Sequence, residues 1–434
     1  MEKKLYEFVT DDGEHVDLSE GVSDEAAEHV PVNFGRQVIA SVASKTGDQL
    51  SKPGLILTWL LTALGAPTIT IGLLVPIREA GSLLPQLAVA SFIRRREIRK
   101  YFWVIGSVLQ GFAVIGMGMI ALTLEGAAAG WSIVGLLVLF SLARGISSIS
   151  SKDLLGKTIP KTRRGRLGGL ASSLSGWIAV GVAVFFIFNQ AEARHLSWFA
   201  GLLFGAGFLW LFAALMMSHV IEKRGTKSSG DGIFKEFKET LGLVKDDPVF
   251  LKFCLARALL ASTVLSMPFY VVLAHGATGG RMRSLGILMI GGSLATALSG
   301  VVWGKLSDAS SRKTLTIAGL AAGVIGCLTA WMSLFELGET GAAWLYGSLF
   351  FLIGLAHTGI RNGRKTYLVD HTTNDNRARL VAVSNTLMGI VLLLSGSFGL
   401  LAGVLGERVI ILIFGVLGIA GGLLVFTLPE AGKS

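Results

Sequence analysis

Long apolar runs recur along most of this sequence, and they restrict the fold more than any other feature. A helix needs roughly 20 apolar residues to cross the hydrocarbon core of a bilayer. The chain is 52% hydrophobic and only 16% charged over 434 residues, and its mean hydropathy is +0.63. It is therefore predicted to be an all-α polytopic membrane protein. Ten apolar runs of suitable length lie near 101–122, 131–151, 168–189, 197–219, 250–274, 283–305, 314–335, 343–363, 379–404 and 408–428.

Clusters of Lys and Arg set the number of crossings. They fall in alternate connections between the runs, at 94–100, 161–166, 222–227, 311–313 and 361–365. Cytoplasmic loops collect cations, so these connections and the polar N-terminus are placed on the cytoplasmic side of a plasma (bacterial inner) membrane. Residues 36–93 must then cross twice, over about 38–64 and 66–92. The prediction is twelve transmembrane helices, called spans 1 to 12 below, with both termini in the cytoplasm.

An internal repeat supports the same count. Arg144 and Asp153 are nine residues apart, and so are Arg361 and Asp370, at an offset of 217 residues. Further along, Arg164 and Gly176 match Arg377 and Gly389, with both pairs twelve residues apart. The repeat predicts two six-helix bundles that are related as parallel repeats.

The repeat and the hydropathy together divide the chain into five parts. Residues 1–35 form an acidic cytoplasmic tail, 36–219 the first bundle and 249–428 the second, and 429–434 a short cytoplasmic tail. The linker 220–248 carries Ile233, Phe234, Phe237, Leu241 and Val244 at helical spacing. This pattern predicts an amphipathic helix along the membrane surface.

The stretch "GKLSDASSRK" at 304–313 carries a resemblance to a known family. Its Gly304, Asp308, Arg312 and Lys313 match the Gly-x-x-x-Asp-x-x-x-Arg-Lys signature between the second and third helices of a half. On this motif, the repeat and the topology, the chain resembles the major facilitator superfamily of secondary transporters. The resemblance implies alternating access by two rocking bundles, with a cytoplasmic gate that breaks and re-forms. The residues assigned to that gate are Asp153, Arg164, Asp308, Arg312, Lys313, Asp370 and Arg377.

The sequence departs from the family pattern in two places. In the first half, Leu87 and Ser91 stand where the signature has its glycine and aspartate, although Arg95 and Arg96 remain. Span 5 has no proline, whereas drug/proton antiporters of the family carry a Gly-Pro pair there. The second departure argues against a multidrug exporter.

Charged residues near mid-membrane mark the candidate site. Lys45, Asp48 and Lys52 are three and four residues apart and share one face of span 1, and Arg78 and Glu79 interrupt the apolar stretch of span 2. Their counterparts in the second half are uncharged. A charge at this depth costs about 2.5–3.5 kcal/mol on insertion scales, so the charges must pair or face water. The first-half candidates for substrate or proton binding are Lys45, Asp48, Lys52, Arg78, Glu79, Gln86 and Arg144.

Two interpretations of this cluster remain open. In the functional one, Glu79 or Asp48 carries a proton while the cations bind an anionic or polar substrate. In the structural one, the charges form an ion-pair network that packs spans 1, 2 and 4.

The second half offers His357, Arg361 and Asn385 as further candidates. His357 and Arg361 lie one turn apart on span 10 and share a face. Arg361 has an equally good alternative role as a gate-side partner of Asp308 or Asp370, and His357 alone is consistent with a satisfied interior histidine. Arg257 on span 7 is close enough to the inner face to snorkel.

Several classes of protein are excluded or disfavoured by what the sequence lacks. Its two cysteines, Cys254 and Cys327, lie in apolar runs and indicate neither a disulfide framework nor a metal site, and no phosphate-cradling glycine loop indicates ATP as a driving force. The net charge of +10 comes from loops over anionic lipid and is not read as nucleic-acid binding. We expect no cofactor and no metal. The expected partners are a small-molecule substrate, a proton and membrane lipid, bound by a monomer.

The sequence therefore predicts a secondary active transporter rather than an enzyme. Its substrate is expected to be a small anionic or zwitterionic organic solute, and its transport to be coupled to protons. The alternatives are a non-transporting relative that serves as a sensor or assembly factor, and a drug or metabolite efflux protein.

Overall fold

The computed structural model describes residues 27–84, 92–93, 95–188, 196–224, 247–372 and 377–430, apart from the side chains at 301, 305, 308 and 377–379. Within these ranges the chain forms helices and turns, with no strand. The predicted linker helix, most of the acidic tail and Gln86 lie outside the described residues.

The first half contains spans 1 to 6. Span 1 is discontinuous because Pro53 lacks a backbone N–H and interrupts the helical hydrogen bonds. Its parts are the helix Val30–Leu50, a π-helical turn Pro53–Leu57 and the helix Thr58–Ala63. The other spans are Thr68–Leu83, Lys100–Thr123, Gly126–Thr158, Lys161–Phe188 and Leu196–Ser218.

The second half contains spans 7 to 12. Span 7 consists of Pro248–Leu260 and Ser262–Ala277, and span 11 of Arg377–Ser395 and Phe398–Leu405. The remaining spans are Met282–Ala309, Ser311–Met332, Glu339–His371 and Glu407–Phe426. Among the described residues, ten helical segments are long and apolar enough to cross a membrane, and they correspond to spans 3 to 12.

The helices pack in the same way in the two halves. Span 3 packs on spans 4 and 6 in the first half, and span 9 packs on spans 10 and 12 in the second. Span 2 packs on span 4, as span 8 does on span 10. The halves meet where span 5 lies against span 8 and span 11 against span 2. This arrangement confirms the predicted fold class of two related six-helix bundles.

Two ends of the molecule are distinguished below. The basic end is where spans 3, 5 and 9 begin, with Lys100, Lys161 and Ser311. The far end is the opposite one, where those spans finish.

The two halves are in contact at the far end. A Cβ built on Gly72 of span 2 would lie 2.5 Å from the Cα of Gly399 in span 11, and one on Gly286 of span 8 would lie 2.6 Å from the carbonyl oxygen of Ala183 in span 5. Such approaches are possible only without a side chain.

Toward the basic end, spans 5 and 8 separate, whereas span 2 still meets span 11, since a Cβ built on Gly389 would lie 2.8 Å from Leu84. A Cβ built on Gly168 or Gly176 of span 5, or on Gly300 of span 8, would meet nothing within 4 Å. The structure is thus closed between the halves at the far end and open between spans 5 and 8 at the basic end.

The structure corrects several predicted helix bounds. Span 4 runs to Thr158 and span 10 to His371, seven and eight residues beyond their apolar runs. The prediction that 361–365 form a connecting loop is therefore wrong, because these residues are helical and partly face the interior. Span 1 begins at Val30 rather than near 38, with Pro31 in its first turn, a position that suits proline.

Candidate functional site

The break in span 1 lies where the sequence places Lys52. Lys52 is extended, with φ −60° and ψ 118°, and its carbonyl oxygen accepts from the backbone N–H groups of Leu55, Ile56 and Leu57 at 3.2, 2.8 and 3.3 Å. Irregular backbone at membrane depth is tolerated where it is buried in protein or lines a cavity, and it commonly marks binding sites in transporters.

Asp48, one turn before this break, binds two arginines. Arg78 of span 2 donates to its carboxylate over 2.8 Å, and Arg144 of span 4 donates over 2.6 and 2.5 Å. The Asp48 side chain is only 23% exposed. Arg78 also lies 5.2 Å from the ring centre of Phe140, a cation–π contact that adds to its burial. The three charged residues join spans 1, 2 and 4.

Lys45 faces span 5 instead of joining this group directly. Its amine donates to the carbonyl oxygen of Gly168 over 3.1 Å and to the hydroxyl of Ser172 over 2.7 Å. The glycine and serine of span 5 allow the lysine to approach the helix backbone. Lys45 thus connects spans 1 and 5 toward the basic end.

A cavity of about 130 Å³ lies on the second-half side of the interface. Its charged lining comes from spans 2, 7 and 10. Glu79 is the one acid among the described lining residues, which also include three arginines and a histidine. They are Glu79, Arg257, His357, Arg361 and Arg364.

Arg257 is held by span 11. It donates to the Ser384 hydroxyl over 2.6 Å and to the Asn385 side-chain oxygen over 3.0 Å, and only 8% of it is exposed. The alternative that Arg257 snorkels to the surface is therefore wrong. Asn385, predicted as a ligand, lies beside the cavity as a partner of this arginine.

Four other charged groups of this region lack direct partners. Among the described residues, the side chains of Lys52, Glu79, Arg361 and Arg364 make no hydrogen bond and no ion pair within 4.0 Å. Arg364 interacts electrostatically with Glu79, and Lys52 with Arg361 and Asp48. A Cβ built on Gly292 of span 8 would lie 4.0 Å from the Lys52 nitrogen. Lys52 therefore extends from the first half toward the second-half charges.

Span 10 brings its polar residues together by helical spacing. His357, Arg361 and Arg364 follow at intervals of four and three, so they share one face. That face lines the cavity. Arg361 lines the cavity and makes no ion pair with a gate residue within the described part of the chain. Asp370, further along the same helix, is exposed.

Three of the predicted gate residues, Asp153, Arg164 and Arg312, make contacts within their own halves in this state. Asp153 pairs with Arg99 over 2.9 Å, and Arg312 pairs with Glu430 over 3.1 Å. Arg164 donates to the carbonyl oxygens at 156 and 159, and Lys313 is exposed. The side chains of Asp308 and Arg377 lie outside the described part of the chain.

Sequence reasoning missed a buried carboxylate at the basic end. The Glu222 side chain is fully buried, accepts from the backbone N–H groups of Arg99 and Lys100 over 2.8 and 2.7 Å, and pairs with Lys157 over 2.8 Å. Arg364 was missed as well, because it stands in a basic cluster that resembles a loop. Its spacing from His357 and Arg361 is the signal that identifies it.

Other kinds of site find no support in the described residues. They contain no group of three or more His, Cys, Asp or Glu side chains placed to hold a metal ion. Cys254 and Cys327 are both free thiols.

A fold of two six-helix bundles with charged groups at their interface defines the class of secondary transporters. The sequence profile of the Major Facilitator Superfamily matches residues 38–357 and 277–434. The chain belongs to the major facilitator superfamily. It is therefore an integral multi-pass membrane protein with a transporter fold, and this membership assigns it to transport rather than to enzyme catalysis.

Relatives in sequence are distant. The uncharacterized protein Rv2209 of Mycobacterium tuberculosis (strain ATCC 25618 / H37Rv) is 22% identical over 370 residues, which cover 82% of this chain and 69% of that protein. The uncharacterized protein Mb2232 of Mycobacterium bovis matches to the same extent.

Solved structures share the fold. A D-xylose-proton symporter superposes with a TM-score of 0.68 at 15% identity, covering 91% of this chain and 98% of that one. The nucleoside transporter NupG gives a TM-score of 0.63 at 10% identity, with 91% and 98% covered. A POT family transporter in complex with a thioalcohol conjugated peptide gives 0.65 at 11% identity, with 90% and 95% covered.

Proposed function

We propose that this protein carries a small organic anion across the membrane by alternating access, and that Glu79 couples this transport to protons. The observation that carries the proposal is a set of basic side chains at the interface of the halves that make no ion pair within the described residues. They are Lys52, which lies beside Gly292 of span 8, and Arg361 and Arg364, which line the cavity together with Glu79, its one described acid.

The charge balance of the site favours an anionic ligand. Asp48 is already bound by Arg78 and Arg144, so it does not neutralise the second-half cations. Each charge at mid-membrane costs about 2.5–3.5 kcal/mol on insertion scales. An anion in the cavity would offset this cost through charge-assisted hydrogen bonds, which arginine forms well with carboxylate and phosphate groups.

We propose that Glu79 exchanges a proton when the substrate binds. In the empty cavity its carboxylate is the electrostatic partner of Arg364. A substrate anion that binds Arg364 would displace Glu79 from this interaction. Anion and proton then enter and leave together, which is the linkage that symport requires. A zwitterionic substrate would instead use Glu79 to bind its ammonium group.

The arrangement of the halves supports the transport step. The far end is closed by close helix contacts, while the basic end is open between spans 5 and 8. Rocking of the two bundles would expose the cavity to the other side. We place the basic end in the cytoplasm of a bacterial inner membrane with both termini inside, and we propose that one chain works as a monomer.

A ligand screen on the purified protein tests the anion. Thermal unfolding would be measured with carboxylates, sulfonates and phosphate esters, with sugars and amines as comparison groups. We expect the anions to stabilise the protein, and Arg361→Gln to weaken their binding by about tenfold or more. Arg408→Gln is the matched control, because Arg408 lies at the far end and is bound by Ser333. Stabilisation by sugars or amines alone would rule out the anion.

Uptake into liposomes tests transport and coupling. The most stabilising anion would be followed in radiolabelled form with and without an inward proton gradient. We expect Glu79→Gln to keep anion exchange and to lose accumulation driven by the gradient. Accumulation as steep as in wild type would exclude Glu79 as the proton carrier. Binding without transport under any gradient would favour the sensor or assembly role.

A further inference from the structure

We infer that the substrate anion carries an apolar group about the size of one ring, held in a pocket inside the second half. This inference rests on the proposed function, because it names the class of anion that the same cavity would take. It comes from the uncharged walls of the cavity, which play no part in the argument for an anion.

The cavity has a charged side and an apolar side. Its apolar walls come mainly from spans 7, 9, 11 and 12 of the second half, with Leu83 from span 2 and Ile360 from span 10. The four spans contribute Phe253, Leu260, Val264, Leu315, Met388 and Val425.

Helix packing gives the direction in which the pocket extends. Glu79 is contributed by span 2, which belongs to the first half and packs on spans 4 and 11. Leu315 and Val425 are contributed by spans 9 and 12, which pack on each other and on spans 10 and 7. The pocket therefore leads from the charged interface between the halves into the interior of the second bundle.

An aromatic stack closes the pocket toward the basic end. Phe253, the lining residue of span 7 nearest that end, stacks on Tyr367 with ring centres 5.0 Å apart and planes at 16°. Tyr367 is fully buried, and its hydroxyl donates to the carbonyl oxygen of Pro429 over 3.1 Å. A ligand would reach the pocket from the interface between the halves.

The size of the cavity and its buried apolar wall suit a compact apolar group. Phe253, Leu260, Leu315 and Val425 are each at most 2% exposed, although they line a cavity of about 130 Å³. An engineered apolar cavity of about 150 Å³ stays dry and binds benzene. The side chains around such a space lack contact atoms on one side, and an aryl or branched alkyl group would supply them.

A homologous series of carboxylates tests the inference on the purified full-length protein. Binding of acetate, butyrate, hexanoate and benzoate would be compared by thermal shift and calorimetry, with inorganic phosphate as a tail-free anion. We expect affinity to rise by about fourfold for each added methylene until the pocket is full, and benzoate to bind more tightly than acetate or phosphate. Benzyl alcohol and benzylamine, which share the ring but lack the anion, are expected to bind weakly.

A variant that fills the pocket separates the apolar contact from the anionic one. Val264→Phe adds a ring to the cavity wall and is expected to reduce benzoate affinity to the level of acetate while acetate binding persists. Retained acetate binding also shows that the variant is folded. Met388→Phe, at a different wall, provides a second test if the first variant does not fold. The matched control is Val324→Phe, because Val324 is 49% exposed on the outer face of span 9.

The outcomes for this inference and for the proposed function are distinct. If acetate or phosphate binds as tightly as benzoate, and pocket filling changes neither, the apolar pocket is not a substrate site, yet the anion proposal stands. If benzyl alcohol binds as tightly as benzoate, the pocket holds a ring but the anion proposal falls. Binding of benzylamine alone, with no anion in the series, overturns both.

Discussion

Arg78 and Glu79 are neighbours in the chain, yet their side chains lie against different parts of the molecule. Arg78 donates to Asp48 over 2.8 Å within the first half, whereas Glu79 lines the cavity of the second half. Successive side chains on a helix point about 100° apart, so adjacent residues of span 2 reach different partners. Under the proposed function, the structural interpretation applies to Arg78 and the functional one to Glu79.

Asp48→Ala is expected to lower the unfolding free energy by about 3–5 kcal/mol, because it leaves two partly buried arginines without their carboxylate. Denaturant titration in detergent micelles measures this loss. Asp153→Ala is the control. Asp153 pairs with one arginine and is 34% exposed, so its loss is expected to cost about 0–1 kcal/mol. Equal losses would show that Asp48 does not hold spans 1, 2 and 4 together.

Glu222→Ala is expected to lower the unfolding free energy by about 3–5 kcal/mol, because the removed carboxylate is fully buried. Two backbone N–H groups and Lys157 would lose their acceptor. The comparison variant is Glu339→Ala at the far end, where the carboxylate is 49% exposed and pairs with an exposed Arg281. A Glu222 variant as stable as the Glu339 variant would contradict the importance of this anchor.

Gly72→Ala and Gly181→Ala are expected to shift stability in opposite directions. A Cβ at Gly72 would meet the backbone of Gly399, which forces the helices apart and costs about 1–3 kcal/mol. A Cβ at Gly181 would meet nothing within 4 Å, and alanine is about 1 kcal/mol better than glycine within a helix. Thermal unfolding of the two variants measures the direction of each change in stability. A gain in stability for both would refute the close contact of spans 2 and 11.

The pH dependence of stability is expected to include Asp247, at the start of span 7. Burial alone would raise the pKa of this carboxyl, but the backbone N–H of Phe250 and the His371 side chain hold the pKa below its ordinary value. The folded protein thus binds the carboxyl's proton less readily than the unfolded chain. Asp247 therefore stabilises the fold above the ordinary aspartate pKa of about 4, and this stability is lost as pH falls toward the lower, folded pKa.

Thermal unfolding between pH 7 and pH 3 measures this contribution. Wild type should be more stable than Asp247→Ala where the carboxyl is ionised, and the difference should shrink below about pH 4. Asp370→Ala, with its exposed side chain at the same end, is expected to follow wild type throughout. A difference that grows on acidification would have the wrong sign for a lowered pKa.

The fold was largely predictable because the bilayer leaves few choices. Backbone groups in hydrocarbon must be satisfied within the segment, so a long apolar run can only be a helix. The distribution of Lys and Arg over alternate connections then predicted twelve transmembrane spans. These include spans 1 and 2, which the criterion of apolar length does not find. Helix ends were less predictable, because span 10 continues through its basic cluster to His371.

The candidate site was predictable in composition but not in pairing. Counting residues along spans 1 and 2 placed Lys52, Arg78 and Glu79 near mid-membrane, and left Arg361 of span 10 with either a cavity or a gate-side role. It could not show that Arg144 binds Asp48 while Arg361, its repeat mate, has no ion-pair partner among the described residues. That difference depends on Asp48 and on the neighbouring spans of each half.

The sequence by itself determined that the chain crosses a membrane as two repeated bundles, because run length and cation bias act locally and need no partner. The tertiary structure alone decided which charges neutralise one another, since an ion pair depends on distances of a few ångströms between spans remote in sequence. It also decided that a cavity with a partly apolar wall lies beside the charged residues, because a void arises from the packing of several spans and has no signature in any one of them.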